Sequence, residues 1–510
     1  MIRRSGRRTW SNIHVTETVT LADLIDIDNA AVSGPQSTGF DLLIQAAATL
    51  DELVQEARQA HVPIRALGSS WALTDIAVTP GWLINTKLLN GCFDVSDALF
   101  ERSYPSDRRP YVVVAQCGIS IGELNVHLEV TATAGFPRAL KTSGIGAGQT
   151  VAGSISGNTH GAAVNFGATP DYVVGIQLVT GRGRSLWIER ASRPVMNDDF
   201  AARIGAVMLR DDEVFEAAVV SFGAFGIIAA LAIETAPLYD LAFRKVENIS
   251  RTALQHKLDN FDAQEPTNLY HYEFVFDPHR TDPMAMVALG VKEPYQQEHP
   301  APKPLWILRD DKGYAPGDRT AKSFLRLSGL GGSASTLYQF NRYRQQGILD
   351  NVRCTPGQAF MATITYLEGY NESAIGIPLT HAAQMIDIMS QVIRRRGVAS
   401  IVQVRVVHPS RATLGFTSLP PKTCVFELGL ANDGGFRRFE NELLDALTRA
   451  NVPFRLHWSK NSGIDGPLLE QMYGRERIDK WKAARARVFS HDAALMRVFE
   501  NAHLVRAGLN

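Results

Sequence analysis

The segment from Lys141 to Gly161, KTSGIGAGQTVAGSISGNTHG, restricts the possible fold more than any other part of the chain. Six of its 21 residues are glycine, and six more are serine or threonine. Glycine permits positive φ angles and a close approach of the backbone to a ligand. Successive N–H groups in such loops form concave sites for anions. The segment is therefore predicted to lie against a large, polar, negatively charged molecule such as a nucleotide pyrophosphate.

A Rossmann fold does not account for this segment. The run Gly144, Gly146 and Gly148 lacks the third glycine position of the dinucleotide fingerprint, and the preceding PRALKTS is not an apolar strand. The residues that follow are too rich in glycine and β-branched side chains for a crossover helix. The pattern argues against NAD.

A second loop of small residues, RALGSSWALTD at 65–75, follows the short apolar strand VPIRAL. Before the strand we predict a helix that begins at a capping box formed by Thr49 and Glu52 and ends at Pro63. A strand with a Gly/Ser loop, followed later by a second such loop, predicts two turns that meet around one cofactor.

These segments resemble the FAD-linked oxidases of the vanillyl-alcohol oxidase type, within the aldonolactone and alditol oxidase branch. The matching motifs occur in the family's order, at residues 10–12 (WSN), 65–74, 148–161 (GQTVAGSISGNTHG), 171–183, 221–228 (SFGAFGII) and 455–460 (RLHWSK). The match is good over roughly residues 8–240 and 450–505 and thin between them.

The resemblance implies an α+β fold in three parts. Residues 1–237 would form a PCMH-type FAD-binding domain of two subdomains. Residues 238–454 would form an α+β substrate-binding cap domain with an antiparallel sheet, and residues 455–510 would return to the FAD domain. In the middle region the pattern predicts a strand at 270–277, an amphipathic helix at 382–397, neighbouring strands IVQVRVVH and KTCVFELGL, and a helix at 435–451.

Composition excludes several partners. The formal charge is zero, with 52 basic and 52 acidic residues, so nucleic acid is not expected. The four cysteines have neither disulfide-framework nor metal-ligand spacing, which indicates a reducing compartment and no metal site. The basic start, MIRRSGRRTW, lacks a following apolar region, and no apolar run approaches 18 residues; residues 223–233 are predicted to be a buried strand. We expect a cytoplasmic protein without a transmembrane segment.

The resemblance also implies which residues bind FAD. Backbone groups of 68–71 and 143–154 would hold the pyrophosphate and ribityl chain, and Gly226 and Ile228 would flank the adenine end. His160 would lie beside the cofactor, with a plain core histidine as the alternative. The full predicted set is Arg65, Gly68, Ser69, Ser70, Trp71, Ser143, Gly144, Gly146, Gly148, Gln149, Thr150, Gly153, Ser154, Ser156, Thr159, His160, Gly161, Gly226 and Ile228.

Trp71 departs from the family pattern. It falls where many relatives carry a histidine bonded covalently to the flavin 8α-methyl group, and indole offers no nucleophilic nitrogen for that bond. Cys117, in VVVAQCGIS, is expected to be a small buried side chain. FAD is therefore predicted to bind without a covalent bond.

Gln403 and Arg405 share one face of the strand IVQVRVV, because side chains alternate along a strand. A buried arginine needs a partner, either structural or substrate. In lactone and alditol oxidases the corresponding strand carries Glu-x-Arg in the substrate pocket. Here glutamine replaces the glutamate; it can orient a hydroxyl but cannot accept its proton, which leaves His457 or a water as the proton acceptor.

Lys460 and His457 are three residues apart around Trp458. On an extended segment this spacing places them on opposite faces, so only a turn or a helix would align them. A lysine near the flavin pyrimidine edge would stabilise the negative charge that builds there on reduction. A solvated loop lysine is the alternative.

The expected function is that of an FAD-dependent oxidoreductase. It would oxidise a CH–OH group of a small-molecule substrate by hydride transfer to flavin N5, and pass the electrons to O₂ or another acceptor. Arg405 would polarise the substrate oxygen, Gln403 would orient it and Lys460 would stabilise the reduced flavin.

Two alternatives stay open at this stage. One is an oxidase of a bulky apolar alcohol such as a sterol, suggested by methionines in the middle region (Met284, Met286, Met385 and Met389). The other is a flavin-binding protein without turnover, suggested by the missing covalent histidine and the glutamate-to-glutamine change.

Overall fold

The computed structural model describes residues 1–32, 37–131, 134–144, 146–261, 266–282, 284–296, 350–360, 370–431, 434–461 and 463–510. The strands are β1 (Ile2–Arg4), β2 (Thr9–Ser11), β3 (Thr18–Thr20), β4 (Asp23–Asp28), β5 (Ile64–Leu67), β6 (Trp82–Leu88), β7 (Cys92–Asp94), β8 (Val112–Gln116), β9 (Arg138–Ala139), β10 (Val173–Val179), β11 (Leu186–Glu189), β12 (Val207–Arg210), β13 (Ile227–Glu234), β14 (Ala236–Pro237), β15 (Tyr239–Phe243), β16 (Glu247–Ile249), β17 (Leu269–Phe276), β18 (Ala285–Pro294), β19 (Arg353–Cys354), β20 (Tyr370–Pro378), β21 (Val402–Val407), β22 (Thr423–Ala431) and β23 (Arg455–Leu456).

The α-helices are α1 (Gly39–Gln59), α2 (Ile121–Asn125), α3 (Val151–Ser156), α4 (Asp198–Arg203), α5 (Asp212–Ala218), α6 (Arg251–Asp259), α7 (Pro356–Phe360), α8 (Ala382–Arg396), α9 (Gly434–Arg449), α10 (Gly466–Tyr473), α11 (Arg475–Val488), α12 (Ala493–Val498) and α13 (Ala502–Arg506). A π-helical turn, Val126–Thr131, follows α2.

The described residues of the first half form two large sheets and two small ones, the pairs β2-β3 and β9-β14. The smaller of the two large sheets has the order β1-β4-β6-β5, in which β4, β6 and β5 run parallel. The larger has the order β12-β11-β10-β13-β8-β7 and is antiparallel except between β11 and β12. Its strand β13 is buried along its whole length, as predicted for residues 223–233. The long helix α1 lies against β10 and β13.

The start of α1 corrects one sequence prediction. The helix begins at Gly39, and its capping box is formed by Thr38 and Asp41. The Asp41 N–H donates to Thr38 Oγ1 at 3.4 Å, and the Asp41 carboxylate accepts the Thr38 N–H at 2.8 Å. Thr49, the predicted cap, is buried inside the helix. The prediction was wrong because the helix begins eleven residues earlier, where Thr38 and Asp41 satisfy the free N–H groups of the first turn.

The described residues of the middle region, together with β23 of the last segment, form one antiparallel sheet of nine strands. Its order is β19-β15-β18-β17-β21-β22-β20-β23, and β16 also pairs with β18. The predicted strand at 270–277 is β17, and the two predicted neighbouring strands are β21 and β22. The two predicted helices are α8, which ends at the left-handed Gly397 (φ 65°), and α9.

The two faces of this sheet differ in chemistry. One face carries Phe274 and Phe276 of β17 and Phe426 of β22, whose rings contact each other in the apolar core. Because side chains alternate along a strand, their neighbours Glu273 and Glu427 lie on the opposite face. That polar face lies against the first half of the chain, where Val164 N–H donates to Tyr270 O at 2.8 Å.

The last segment connects both halves. Strand β23 pairs with β20 in the nine-stranded sheet. The helices after it pack on the first half: Arg487 pairs with Asp211 at 2.8 Å, and Arg58 with Asp492 at 3.0 Å. In the described part of the chain, no helix combines the length and the apolar character needed to cross a bilayer.

Candidate flavin and substrate site

The two glycine loops meet, as predicted. Gly68 follows β5, and a Cβ atom added to it would lie 2.2 Å from Thr150 Oγ1. Thr150 is the N-cap of α3, and its hydroxyl accepts the Gly153 N–H at 3.3 Å. Glycine at position 68 is therefore required by the close approach of the second loop.

A second close approach lies within the longer glycine segment. A Cβ atom on Gly161 would lie 2.3 Å from the Ser143 carbonyl oxygen, and one on Gly144 would lie 2.7 Å from Thr159 Cγ2. The Thr142 hydroxyl is buried here without a hydrogen-bond partner. Backbone lying against backbone beside an unsatisfied donor fits a bound polar chain such as the ribityl-pyrophosphate part of FAD.

The predicted FAD-binding residues divide into two groups. Those around the loops are Gly68, Ser69, Ser70, Trp71, Ser143, Gly144, Gly146, Gly148, Gln149, Thr150, Gly153, Ser154, Ser156, Thr159, His160 and Gly161, which lie on the two loops and on α3. Ser143, Gly144, Ser154, His160 and Gly161 are buried, whereas Gly153 is exposed.

Three predicted residues make contacts that are structural in kind. Arg65 is fully buried and donates to Phe499 O at 3.1 Å and Ile76 O at 2.7 Å, so its guanidinium holds the C-terminal segment. Gly226 has φ 124°, and a Cβ atom there would lie 2.4 Å from Val179 O. Ile228 is a buried member of β13. Packing therefore explains the residue type at each of these three positions without any contact with adenine.

Eight side chains form a charged cluster where the polar face of the nine-stranded sheet meets the glycine segment. They are His160, His271, Glu273, Glu372, Arg405, Glu427, His457 and Lys460, and we call them the charged cluster. Four of them lie on four adjacent strands. Glu273 of β17 stands opposite Arg405 of β21, and Glu427 of β22 stands opposite Ala374 of β20, two residues from Glu372.

Glu427 is the centre of the cluster. Arg405 Nη1 lies 2.6 Å from Glu427 Oε2, and Lys460 Nζ contacts Glu427 Oε1. Burial raises the pKa of Glu427, but the positive charges of Arg405 and Lys460 outweigh burial and hold that pKa well below its ordinary value. Glu427 is therefore an ionised carboxylate inside the protein.

Each cation has a second carboxylate. Arg405 Nε lies 3.2 Å from Glu273 Oε2, and Lys460 Nζ lies 3.0 Å from Glu372 Oε1. Burial lowers the pKa of Lys460, but Glu372 and Glu427 outweigh burial and raise it, so the ammonium group stays charged.

The two histidines nearest Glu427 present different nitrogens to the site. His160 Nδ1 donates to Gly161 O at 3.0 Å, so its Nε2 is the nitrogen that faces Glu427, 3.6 Å from Oε1. His457 Nδ1 instead accepts the Ser459 N–H at 3.1 Å. Burial, and then the charge of Lys460, hold the pKa of His457 well below its ordinary value, so it is neutral and its Nε2 carries the proton.

A turn aligns His457 and Lys460, as their spacing required. The N–H groups of Lys460 and Asn461 both donate to His457 O, at 3.1 and 3.0 Å. Asn461 Oδ1 then accepts the N–H groups of Ala374 at 3.0 Å and His457 at 3.2 Å. This buried asparagine fixes the turn to β20 and so places both side chains in the cluster.

Sequence reasoning missed the carboxylates and one histidine: Glu273, Glu372, Glu427 and His271. The missing glutamate at position 403 is compensated, because Gln403 pairs directly with Glu427 of the next strand. A signal was present, since Glu427 interrupts the apolar run VFELGL just as Arg405 interrupts VQVRVV. A buried charge needs an opposite charge beside it, so Arg405 and Glu427 on neighbouring apolar strands are expected to pair.

The two residues considered for a covalent flavin bond are also defined. Cys117 is buried, and burial raises its pKa to about 12, so it is an unreactive thiol. Trp71 is half-buried, and its ring meets the ring of His14 edge-on with 6.0 Å between centroids.

Part of the chain matches a known FAD-binding family. Residues 42–189 match the family model described as FAD binding domain. The chain is 24% identical over 452 residues to L-gulono-1,4-lactone dehydrogenase of Mycobacterium tuberculosis, covering 86% of this chain and 90% of that protein. It is an FAD-dependent oxidoreductase.

Two further similarities were found for this flavoenzyme. It is 28% identical over 189 residues to D-arabinono-1,4-lactone oxidase of Eremothecium gossypii, which covers 37% of this chain and 30% of that protein. Its fold matches the crystal structure of cholesterol oxidase from Brevibacterium sterolicum with a TM-score of 0.68 at 12% identity, over 99% of this chain and 97% of that chain. At that identity the second similarity shows the fold alone.

Proposed function

We propose that this flavoenzyme oxidises a CH–OH group of a small polyhydroxylated substrate, such as a sugar lactone or an alditol, at the charged cluster. The observation that carries the proposal is the ionised Glu427, held by Arg405 and Lys460 and facing His160 Nε2 at 3.6 Å. Such a wall offers many hydrogen bonds to the hydroxyl groups of a substrate. Bound FAD supplies the hydride acceptor.

The hydroxyl proton passes to the His160–Glu427 pair. His160 is anchored through Nδ1, so Nε2 is the nitrogen that would take up the proton, and the Glu427 carboxylate 3.6 Å away would stabilise the imidazolium that forms. His457 does not suit this role, because its Nδ1 is used by the Ser459 N–H and its pKa is depressed. It acts as a hydrogen-bond donor through Nε2.

The remaining members of the cluster orient the substrate. Arg405 donates to the oxygen of the reacting carbon and polarises it, while Gln403, half-buried beside Glu427, fixes a neighbouring hydroxyl. Lys460 would place a positive charge near the bound flavin and so favour its reduced, negatively charged form.

Anaerobic bleaching of the flavin at about 450 nm tests this function. The purified holoprotein is mixed with alditols, aldonolactones and sterols, and we expect the first two classes to bleach it. The methionines that suggested a sterol, Met284, Met286, Met385 and Met389, are buried, and the sterol arm of this experiment tests that alternative directly. Bleaching by sterols alone would overturn the proposal, and bleaching by no class would favour a protein without turnover.

We also propose that FAD binds without a covalent bond, because Trp71 stands at the position of the usual histidine link. Precipitation with trichloroacetic acid should leave a yellow supernatant and a colourless pellet. A yellow pellet would contradict this, and His14→Ala would then show whether the imidazole beside Trp71 forms the bond. The four free cysteines support a reducing compartment such as the cytoplasm.

A further inference from the structure

Five members of the charged cluster form a chain of alternating charge. In order along the sheet they are Glu273, Arg405, Glu427, Lys460 and Glu372. Each cation lies between two carboxylates, and a carboxylate stands at each end. These five groups carry one net negative charge, and His457 adds none because it is neutral.

An arrangement of this kind disfavours the binding of anions. A substrate carboxylate in a site shielded from water needs a cation that is not already paired. Both Arg405 and Lys460 already have two acidic partners, and the partner of Lys460 on the outer side is Glu372. A neutral polyhydroxylated molecule faces no such conflict, because carboxylates accept hydrogen bonds from its hydroxyl groups.

Glu372 differs from Glu427 in its surroundings. The Glu372 side chain is 24% exposed and the Glu427 side chain is 2% exposed. Glu427 touches both cations and His160, so removing its charge disturbs the whole cluster. Glu372 pairs with Lys460 at the outer end of this chain, so removing its charge leaves the ammonium group with one acidic partner, Glu427, while the inner pairs persist.

We propose that Glu372 is a specificity-determining residue: by occupying Lys460 it restricts the site to neutral substrates and excludes hydroxy acids. The inference rests on the proposed function and names the charge class of its substrate. Neutralising Glu372 leaves one side of Lys460 available to an incoming carboxylate. It also removes the net negative charge of the chain of five.

The experiment compares a sugar lactone with the open aldonate obtained by hydrolysing it, since the two share a carbon skeleton and differ in charge. Anaerobic flavin reduction is measured for the wild type and for Glu372→Gln, Glu372→Asp and Glu216→Gln. Glu216 is a matched control, because it pairs with Arg190 at 2.6 Å and its side chain is 19% exposed. The FAD content of each variant reports folding.

We expect the wild type to prefer the lactone at least a hundredfold in the second-order rate constant of flavin reduction. Glu372→Gln should reduce that preference about tenfold by accelerating the aldonate, whereas Glu372→Asp and Glu216→Gln should retain it. Equal reduction by both compounds in the wild type would overturn the inference, and so would an unchanged preference in Glu372→Gln.

Sulfite provides a second readout that does not depend on turnover. It is a small anion that adds to oxidised flavin and bleaches it, so its dissociation constant reports the charge of the wall beside the ring. Glu372→Gln should bind sulfite about tenfold more tightly than the wild type, and Glu216→Gln should not. If no sugar compound reduces the wild-type flavin, the proposed function fails while this arm still decides the inference; equal sulfite binding, or none in either protein, overturns it.

Discussion

The two glycine loops (65–75 and 141–161), which we call the glycine cradle, and the charged cluster are the two parts of the proposed site, and they are built in opposite ways. The cradle consists of backbone from two short stretches, in which Gly68 meets Thr150 and Gly161 meets Ser143. The cluster consists of side chains from β17, β20, β21, β22, the turn after β23 and the glycine segment, which are up to about 300 residues apart in sequence. The first binds by shape and the second by charge.

This difference separates two kinds of constraint. In the cradle a glycine is required because a Cβ atom has no room, so each position is restricted by its own backbone contacts. In the cluster each buried charge needs an opposite charge beside it, so the role of a single residue depends on its partner. Changes in the cradle should affect cofactor binding, and changes in the cluster should affect turnover. The predictions below test that separation.

The largest effect is expected for Glu427→Gln. Removing the carboxylate leaves Arg405 and Lys460 without their shared partner and deprives the His160 imidazolium of its counter-charge. Flavin reduction should slow by roughly a hundred- to a thousandfold while the FAD content stays the same. The control is Glu189→Gln, another buried glutamate that accepts hydrogen bonds from Trp187, Val195 and Met196. Loss of FAD from Glu427→Gln would contradict the separation of cofactor binding from turnover.

The reciprocal change is Gly161→Ala in the cradle. Its Cβ atom would lie 2.3 Å from a backbone oxygen, so the two segments must move apart. We expect FAD affinity to fall by about thirtyfold, from a strain of roughly 2 kcal/mol, with little change in the reduction rate of the protein that still holds FAD. Gly466→Ala is the control, since nothing lies within 4 Å of the added atom. Fluorescence titration of the apoprotein with FAD measures both, and unaltered affinity would contradict the prediction.

Glu129 tests how the halves are joined. It lies in the π-helical turn and accepts hydrogen bonds from the Thr355 hydroxyl at 2.6 Å and the Gly357 N–H at 2.7 Å. Burial raises its pKa to about 7. Because the folded pKa lies above the unfolded one, this group stabilises the fold most at low pH, and that contribution is lost as the pH rises from about 4.5 to 7.

Glu129→Gln should remove this dependence, which amounts to about 2 kcal/mol. The melting temperature of the variant relative to wild type should therefore rise between pH 5 and pH 7, with FAD content and turnover maintained. A difference that does not change with pH would show that Glu129 is ionised throughout.

The smallest effect is expected for Lys460→Met. Its charge is already balanced by Glu372 and Glu427, so its loss removes less field from the flavin than an unpaired lysine would. We expect flavin reduction to slow about tenfold with FAD still bound. Stopped-flow reduction at saturating substrate checks this, and Lys480→Met, a surface lysine paired with Glu476, is the control. Unchanged kinetics would remove Lys460 from the mechanism.

Prediction from sequence succeeded where the signal was local. The buried strand β13, the strand β17, the helix α8 with its C-terminal Gly397 and the pairing of β21 with β22 all follow from periodicity and composition. The start of α1 was predicted wrongly because the sequence carries two capping signals, at Thr38 and at Thr49. The helix begins at the first of them, where Thr38 and Asp41 form the capping box.

The site was predicted in part for the same reason. Arg405, His457 and Lys460 were found through motifs, and the structure brings all three together. The proton acceptor was sought at His457 because position 403 lacks a carboxylate, but the register of β21 against β22 supplies Glu427 at the same place. A sequence motif on one strand does not show which side chains the neighbouring strand places beside it.

The amino-acid sequence by itself determined that the chain uses FAD and that two glycine loops approach each other, because each glycine is required at its own backbone position and can be read directly from the sequence. Tertiary structure alone decided which charges meet, in particular that Glu427 lies between Arg405 and Lys460 and that Glu372 completes the chain. The physical reason is that burial makes an unpaired charge costly without specifying its partner, and only the pairing of distant strands makes that choice.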